Sequence, residues 1–364
     1  MTIMPDHSTN VIGGVDTHGE AHHAAVIDTL GRQLADREFP ATGAGYRELE
    51  AWLRSHGTVT AVGIEGTGAY GAELARHLAQ CGLTVIEVDR PDRKTRRLRG
   101  KSDPIDAYAA AMAVASGRAT GTPKLREGIV EAIRALRVPL RSAVKARTQA
   151  INQARQLLVT APDALRAPLR DQSWLDLSRA CARLRPTDLS DPNSATKAAL
   201  RHLGRRILNL SREIDELKTA LTALTARAAP ELLALKGVGP DVAGQLLATT
   251  GDNPDRLRSE AAFPHLCGVA PIPASTGRRD RHRLNRGGDR AANRALHTIV
   301  LVRMSWDERT RAYVTRRTQQ GLSKRDIMRC LKRYVAREVY KVLIAPSRHS
   351  TIALAANAHT TLAA

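Results

Sequence analysis

The sequence predicts an N-terminal α/β domain, a helical middle region and a mainly α-helical C-terminal domain. Three observations indicate this. Short apolar runs separated by turn residues fill the N-terminal quarter, a heptad ladder of leucine and isoleucine begins at Leu200, and a basic region rich in glycine and proline follows it. Such a ladder is a strong coiled-coil signal. The chain has 364 residues, enough for two or three domains that each bury a core.

The boundaries follow from changes in composition along the chain. They predict a flexible start at residues 1–10, an α/β domain at 11–125, a helical and coiled-coil region at 126–228, a mainly α-helical domain at 229–346 and a disordered tail at 347–364.

The N-terminal elements occur in an informative order. Apolar runs predict a meander of strands over residues 11–16, 24–27 and 32–39. A helix over 46–56, a strand over 59–65, a helix over 72–82 and a strand over 83–88 follow, before an alanine-rich helix that starts near Asp103. This order of strands and helices is that of the ribonuclease-H-like fold.

Four acidic residues are expected to meet at one end of this sheet. Asp16 and Glu65 end the first and fourth strands, which are neighbours in that fold. Asp103 and Asp106 share one face of the next helix, because they are three residues apart. Each pair also has a structural interpretation, as solvated strand ends and as a helix N-cap with its capping box. Taken together, the four favour two Mg²⁺ ions about 3.5–4 Å apart, which activate water or an alcohol against a phosphodiester.

The residues around these acids carry a family resemblance. The motifs are Gly14-Val15-Asp16-Thr17-His18, Gly63-Ile64-Glu65-Gly66-Thr67-Gly68 and Lys101-Ser102-Asp103-Pro104-Ile105-Asp106-Ala107. They resemble those of the DEDD insertion-sequence transposases, which have a RuvC-like domain and are also called bridge-RNA-guided recombinases. The resemblance, over residues 11–345, implies Mg²⁺ bound by the four acids, a second transposase domain with a catalytic serine, and a non-coding guide RNA. It also implies a homo-oligomer, a dimer or tetramer, that the coiled coil helps to assemble.

The charge of the chain indicates a polyanionic partner. There are 56 Lys and Arg against 36 Asp and Glu, a formal net charge of +20. Such an excess favours nucleic acid. Aromatic residues make up only 3%, which favours contacts to phosphates and duplex shape over base stacking. We therefore expect double-stranded DNA as the partner. The resemblance implies that this DNA consists of the ends or junction of the mobile element and of its target site.

Two segments of the C-terminal half are candidates for phosphate contact. Lys236, Gly237 and Gly239 lie between helical stretches and predict a helix-hairpin-helix, whose glycines let backbone N–H groups face a phosphate. A plain turn between helices is the alternative. In the last helix, Ser323 and Asp326 form a capping box ahead of a cationic side that includes Arg329 and Lys332.

A serine loop precedes a run of arginines. Ser275 lies in a loop framed by proline and glycine, and a lone loop serine is normally a turn residue. A hydroxyl surrounded by cations could instead attack a DNA phosphate. The family resemblance implies that Ser275 is the nucleophile, with Thr276 a lesser candidate because this chain reads Ser-Thr-Gly. The accompanying nucleic-acid-binding candidates are Arg278, Arg279, Arg281, Arg283, Arg286, Arg290 and Arg294.

The hypothesis is thus a mobile-element transposase or site-specific recombinase. The four cysteines are isolated from one another, which indicates neither a zinc knuckle nor a disulfide framework. No signal pattern or long apolar run is present, so we expect a cytoplasmic, nucleoid-associated bacterial protein without a membrane partner. Three alternatives stay open: a structure-selective Mg²⁺-dependent nuclease without a covalent intermediate, a sugar-kinase-like or actin-like ATPase, and a non-catalytic DNA-binding protein.

Overall fold

The computed structural model describes residues 10–88, 102–277 and 281–361, with side chains described as far as Ala345. The described chain divides into two compact units. The first contains the residues up to Glu127 together with Thr250–Arg258, and the second contains Gly128–Thr249 and the residues from Ser259 onward. The predicted flexible start lies outside the described residues, apart from Asn10.

The first unit is built on a mixed five-stranded sheet. Its strands are β1 (Asn10–Thr17), β2 (Ala21–Asp28), β3 (Gln33–Pro40), β4 (Thr58–Glu65) and β5 (Val85–Val88). They lie in the order β3-β2-β1-β4-β5, with β1 antiparallel to β2 and parallel to β4. All five strands were predicted, and the arrangement is compatible with the ribonuclease-H-like fold.

Helices cover the two faces of this sheet. They are α1 (Gly43–Ser55), α2 (Ala72–Gln80) and α3 (Asp103–Ala115). Strand alternation sends odd residues of β1 such as Val15 into the core with Leu49 of α1 and Leu74 of α2. The opposite face packs on α3, where Ile12 and Ile27 contact Ala111.

Two glycines let α3 lie very close to the middle of the sheet. A Cβ on Gly14 would overlap the backbone of Ala107 and Ala111, and one on Gly63 would approach the Ala110 carbonyl oxygen at 2.8 Å. Because no side chain separates them, the helix rests on the backbones of β1 and β4. This contact fixes the first turn of α3 beside the carboxyl ends of those strands.

A late segment of the chain returns to complete the first unit. In residues 250–258, Arg256 makes an ion pair with Glu87 at 3.1 Å, and Asn253 donates a hydrogen bond to the Pro123 carbonyl at 2.9 Å. Arg258 donates to the Thr120 carbonyl at 2.7 Å. This return could not be predicted from the sequence, because the segment has no repeat or periodicity of its own.

The second unit is helical apart from a two-stranded hairpin. Its helices are α4 (Gly128–Thr160), α5 (Asp163–Arg166), α6 (Trp174–Ala182), α7 (Pro192–Ala228), α8 (Pro230–Leu233), α9 (Pro240–Thr250, whose last residue belongs to the first unit), α10 (Ala262–Leu266), α11 (Arg290–Trp306), α12 (Glu308–Gln319) and α13 (Lys324–Thr361). The hairpin strands are β6 (Ile272–Pro273) and β7 (His282–Arg283).

The heptad ladder lies on α7, which packs along α4 and α6. One stripe of the ladder is fully buried within the chain, namely Leu200, Ile207, Ile214 and Leu221. The other stripe, including Leu210 and Leu217, is half-buried. The ladder therefore serves at least in part as an intrachain helix pairing, one of the two roles that its spacing allowed.

The last helix differs from its prediction. Its backbone stays helical through residues 347–361, where a disordered tail was expected. The stretch is rich in alanine, the residue with the highest helix propensity.

Among the described residues, no helix is both long and apolar enough to cross a membrane.

Candidate metal centre and cationic cleft

Three side chains of the first unit converge at the carboxyl end of β1. His18 Nε2 lies 3.1 Å from Asp16 Oδ2 and 3.4 Å from Asp103 Oδ1. One donor atom from each of the three residues lies within 4.8 Å of the others. The Asp16 side chain is only 9% exposed, whereas those of His18 and Asp103 are each 46% exposed. One wall of this group is therefore buried and the other faces solvent.

Asp106 adds a second carboxylate from α3. It is 2% exposed, one turn after Asp103. Burial raises the pKa of Asp16 above its usual value, and the charges of Asp106 and Asp103 raise it further, while His18 opposes the shift. The carboxylates thus lie close enough to repel one another, which is the electrostatic condition that a bound cation relieves.

Glu65 reaches the same end of the sheet through strand register. In the parallel pair, Val15 lies beside Ile64, so Asp16 and Glu65 are the next residues along β1 and β4. The alternation of each strand puts both on the face that α3 covers. Thr17 Oγ1 also donates a hydrogen bond to the Glu65 carbonyl oxygen at 2.8 Å, which joins the two strand ends.

The first residues of α3 distinguish between the two interpretations of Asp103 and Asp106, namely metal binding and helix capping. The N-cap is Ser102, which makes no side-chain capping bond, and Asp103 is already the first helical residue. Asp103 therefore does not act as the N-cap that the alternative interpretation required. Both acids lie in the first turn, where the helix dipole favours negative charge. We name Asp16, His18, Glu65, Asp103 and Asp106 the carboxylate cluster.

His18 lies within one of the sequence motifs, but no role was predicted for it. The available signal was the Asp-x-His spacing, because residues two apart near the end of a strand share a face. The donor set of the carboxylate cluster is rich in oxygen with one imidazole, which fits Mg²⁺ or Mn²⁺. The residues present can therefore hold the metal that the resemblance implies.

The second unit contains an open cleft of about 630 Å³. Its cationic side chains are Arg286, Arg290, Arg294, Arg329 and Lys332, and His297 also lines it. We name this group the cationic cleft. Lys332 donates a hydrogen bond to Asn293 Oδ1 at 2.8 Å, and burial lowers the pKa of its ammonium. The Asn293 amide in turn donates to the carbonyls of Cys267 and Gly268 at 3.1 and 3.0 Å.

Three predicted arginines lie in the cleft with their charges available. Arg286, Arg290 and Arg294 are exposed, and they form no ion pair within the described parts of the chain. Asp289 holds the N-terminus of α11 by accepting hydrogen bonds from the Ala291 and Ala292 amides at 2.8 and 3.2 Å. Because this cap begins α11, it sets where Arg290 and Arg294 project.

Ser275 lies in the hairpin between β6 and β7. It is exposed, and its Oγ accepts a hydrogen bond from the Arg281 amide at 3.2 Å. Arg281 and Arg283 are exposed on the second strand side of the hairpin, and Thr276 is exposed beside Ser275. Arg278 and Arg279 lie outside the described residues. Ser275 belongs to the second unit, whereas the carboxylate cluster belongs to the first.

The glycine turn lies between α8 and α9. Gly237 has a φ of +84°, which explains the glycine there. Lys236 is half-exposed and pairs with Asp307 at 3.2 Å, while its carbonyl accepts a hydrogen bond from Arg303 at 2.7 Å. A Cβ on Gly239 would meet nothing within 4 Å, so the chain is open to an approaching group there.

Comparison with known proteins places these units beside transposases. The DEDD_Tnp_IS110 family model, described as a transposase, matches residues 13–161. A second model, described as "Transposase IS116/IS110/IS902 family", matches residues 229–315. The "Mini-circle putative transposase for IS117" of Streptomyces coelicolor is 26% identical over 330 residues, covering 76% of this chain and 80% of that protein. The first match contains the carboxylate cluster, and the second contains Ser275 together with Arg286, Arg290 and Arg294 of the cationic cleft.

Proposed function

This chain belongs to the IS110 family of DEDD transposases and is a DNA transposase or recombinase, and we propose that it cleaves and rejoins DNA with the carboxylate cluster and Ser275. The observation that carries the proposal is the convergence of Asp16, His18 and Asp103, with Asp106 close enough to act on the charge of Asp16. Carboxylates placed this close together at a buried strand end repel one another, which would destabilise the fold if they had only a structural role.

The family is metal-dependent in general, and we propose that Mg²⁺ is the metal of the carboxylate cluster. Mg²⁺, when bound, supplies Lewis-acid polarisation of a phosphate oxygen. Asp16, Glu65, Asp103 and Asp106 hold it, because hard oxygen donors are what this ion prefers. His18 orients Asp16 and Asp103 toward each other through its contacts to both. The glycine contact of α3 with β1 keeps Asp106 in place.

Ser275 serves as the nucleophile in this proposal. Its Oγ forms a bond to the phosphorus of a DNA phosphodiester while the bond from phosphorus to the 3′ oxygen breaks. The hydroxyl proton leaves serine and ends on the released 3′-hydroxyl. A 3′-hydroxyl of the partner strand then attacks the phosphoserine and restores the serine hydroxyl. Because each step exchanges one phosphate ester for another, strands are rejoined without an external energy source.

The positive charges supply the nucleic-acid contacts. We assign phosphate contact to Lys236, to the turn at Gly237 and Gly239, and to the hairpin residues Arg281 and Arg283. The further assigned residues are Arg278, Arg279, Arg286, Arg290 and Arg294. A non-coding guide RNA and assembly into a dimer or tetramer complete the proposal, with the serine and the acids brought together in the assembled complex.

The decisive experiment separates a covalent recombinase from a nuclease. Purified protein is incubated with labelled element-end DNA and Mg²⁺, and protein–DNA adducts are counted on denaturing gels. We expect an adduct with wild type and with Thr276→Ala, but none with Ser275→Ala. We also expect neither adduct nor cleavage with Asp106→Asn.

Two results would contradict parts of the proposal. Cleavage that persists in Ser275→Ala without any adduct would favour the nuclease alternative, in which water replaces serine. Full activity of Asp106→Asn would remove the metal cluster from the reaction. Folding of each variant is checked by its unfolding temperature, so that a loss of activity is not a loss of structure.

A further inference from the structure

A second group of metal-ligand side chains lies between α1 and α2 of the first unit. Glu50 comes from α1, His77 from α2, and Cys81 from the C-cap of α2. One donor atom from each lies within 4.8 Å of the others, and all three side chains are half-buried. Cys81 is a free cysteine. The group lies on the face of the sheet opposite α3, so it shares no residue with the carboxylate cluster.

The spacing of the donors matches a tetrahedral zinc site. His77 Nε2 lies 3.8 Å from Cys81 Sγ. With Zn–S near 2.3 Å and Zn–N near 2.0–2.1 Å, tetrahedral angles put these two ligand atoms roughly 3.6 Å apart. Residues four apart at a helix end face the same side, which is how one helix offers a histidine and a cysteine together.

A neighbouring arginine holds the group in place. Arg54 Nε binds Glu50 Oε1 at 2.6 Å, and the Arg54 guanidinium donates to the Cys81 carbonyl at 2.9 Å. The guanidinium thus fixes one oxygen of the Glu50 carboxylate, and the second oxygen has lone pairs for a cation. Outer residues that orient metal ligands in this way are a regular part of zinc sites.

We propose that Glu50, His77 and Cys81 form a zinc site. Nitrogen, sulfur and oxygen donors together suit Zn²⁺, and thiolate disfavours Mg²⁺. A water molecule takes the fourth position, because the half-buried ligands leave one side open to solvent. Binding releases the thiol proton and clamps α1 to α2. Because the ligands come from two helices, we assign the site structural support of the sheet that carries Asp16 and Glu65, and this role does not depend on the proposed reaction.

Cobalt substitution tests the site in the full-length protein. Co²⁺ bound by a thiolate gives a charge-transfer absorption band, and the carboxylate cluster is silent in this measurement because it has no sulfur. We expect the band in metal-stripped wild type titrated with Co²⁺, its loss on addition of Zn²⁺, and its absence in Cys81→Ser. The matched control is Cys330→Ser, another half-buried free cysteine, which keeps the band.

Two further measurements guard against a folding defect. His77→Gln is expected to weaken zinc affinity by roughly tenfold or more, judged by competition with a chromophoric chelator. Zinc is expected to raise the unfolding temperature of wild type but not that of Cys81→Ser, while the metal-free temperatures of the two proteins agree. No band in wild type, a band that survives in Cys81→Ser, or unchanged affinity in His77→Gln would overturn the proposal.

Discussion

The carboxylate cluster and the cationic cleft solve opposite electrostatic problems. The cluster gathers negative charge at a buried strand end, where Asp16 is 6% exposed and its pKa is raised by burial. The cleft spreads positive charge over helix ends and a loop, and the half-buried Lys332 is hydrogen-bonded to Asn293. Chemistry on a phosphate needs charges held in fixed positions, whereas binding a long polyanion needs many accessible charges. The comparison predicts that cleavage and DNA binding can be separated.

Metal removal is the largest test of that separation. Chelation of divalent ions is expected to lower DNA cleavage by at least roughly a thousandfold, because a bound metal contributes several kcal/mol to phosphoryl transfer. DNA affinity, measured by fluorescence anisotropy, is expected to change by less than about twofold. A parallel collapse of binding would show that the two regions are not independent.

The second largest effect is expected from a change in the packing of α3 against Gly14, next to the carboxylate cluster. Gly14→Ala forces a methyl group against the backbone of α3, which costs about 1–3 kcal/mol and displaces Asp103 and Asp106. We expect a lower unfolding temperature and lost cleavage, with DNA binding retained. Gly43→Ala is the control, because the nearest atom to its Cβ is the flexible end of Arg47 at 3.8 Å.

A smaller effect is expected in the cationic cleft. The double variant Arg290→Ala and Arg294→Ala should weaken DNA binding roughly tenfold near physiological salt and reduce the salt dependence by about one ion per lost contact. Metal binding by the cluster should be unchanged. Arg170→Ala removes an exposed arginine outside the cleft, and it should leave the salt slope as in wild type.

The smallest effect concerns an acid of the second unit that behaves unlike those of the cluster. Hydrogen bonds from Thr310, with a smaller contribution from the Lys236 ammonium, together lower the pKa of Asp307 to about 2. A depressed folded-state pKa contributes stability above the unfolded value near 3.9, and this is lost as pH falls toward 2. Asp307→Asn should therefore cost below about 1 kcal/mol at pH 7, after solvent screening. The loss of unfolding free energy caused by this substitution should be smaller at pH 3 than at pH 7, as measured by urea unfolding.

The sequence predicted most clearly what local patterns determine. The strands and first two helices of the first unit followed from apolar alternation and helical spacing. The predicted helix cap at Ser323 is also present, because Ser323 Oγ accepts a hydrogen bond from the Asp326 amide at 3.2 Å. The meeting of Asp16 with Asp103 needed the strand order, and the resemblance supplied further support for it. The catalytic roles of these acids and of Ser275 stay predictions.

Other features depend on contacts that no local pattern records. His18 completes the cluster only because α3 comes close to β1, which depends on Gly14 and Gly63. The cleft position of Lys332 depends on Asn293, which is distant in sequence. Residues 250–258 contact the first unit through individual hydrogen bonds and an ion pair. Such contacts produce no periodic pattern in the sequence from which they could be predicted.

The return of residues 250–258 to the first unit has an evolutionary consequence. A crossover near Glu127 that joined the first part of this chain to the second part of a diverged relative would separate Glu87 and Pro123 from the Arg256 and Asn253 with which they pair. Hybrids made in this way would inherit mismatched partners. Selection should therefore favour transmission of the two units as one piece, despite their separate cores.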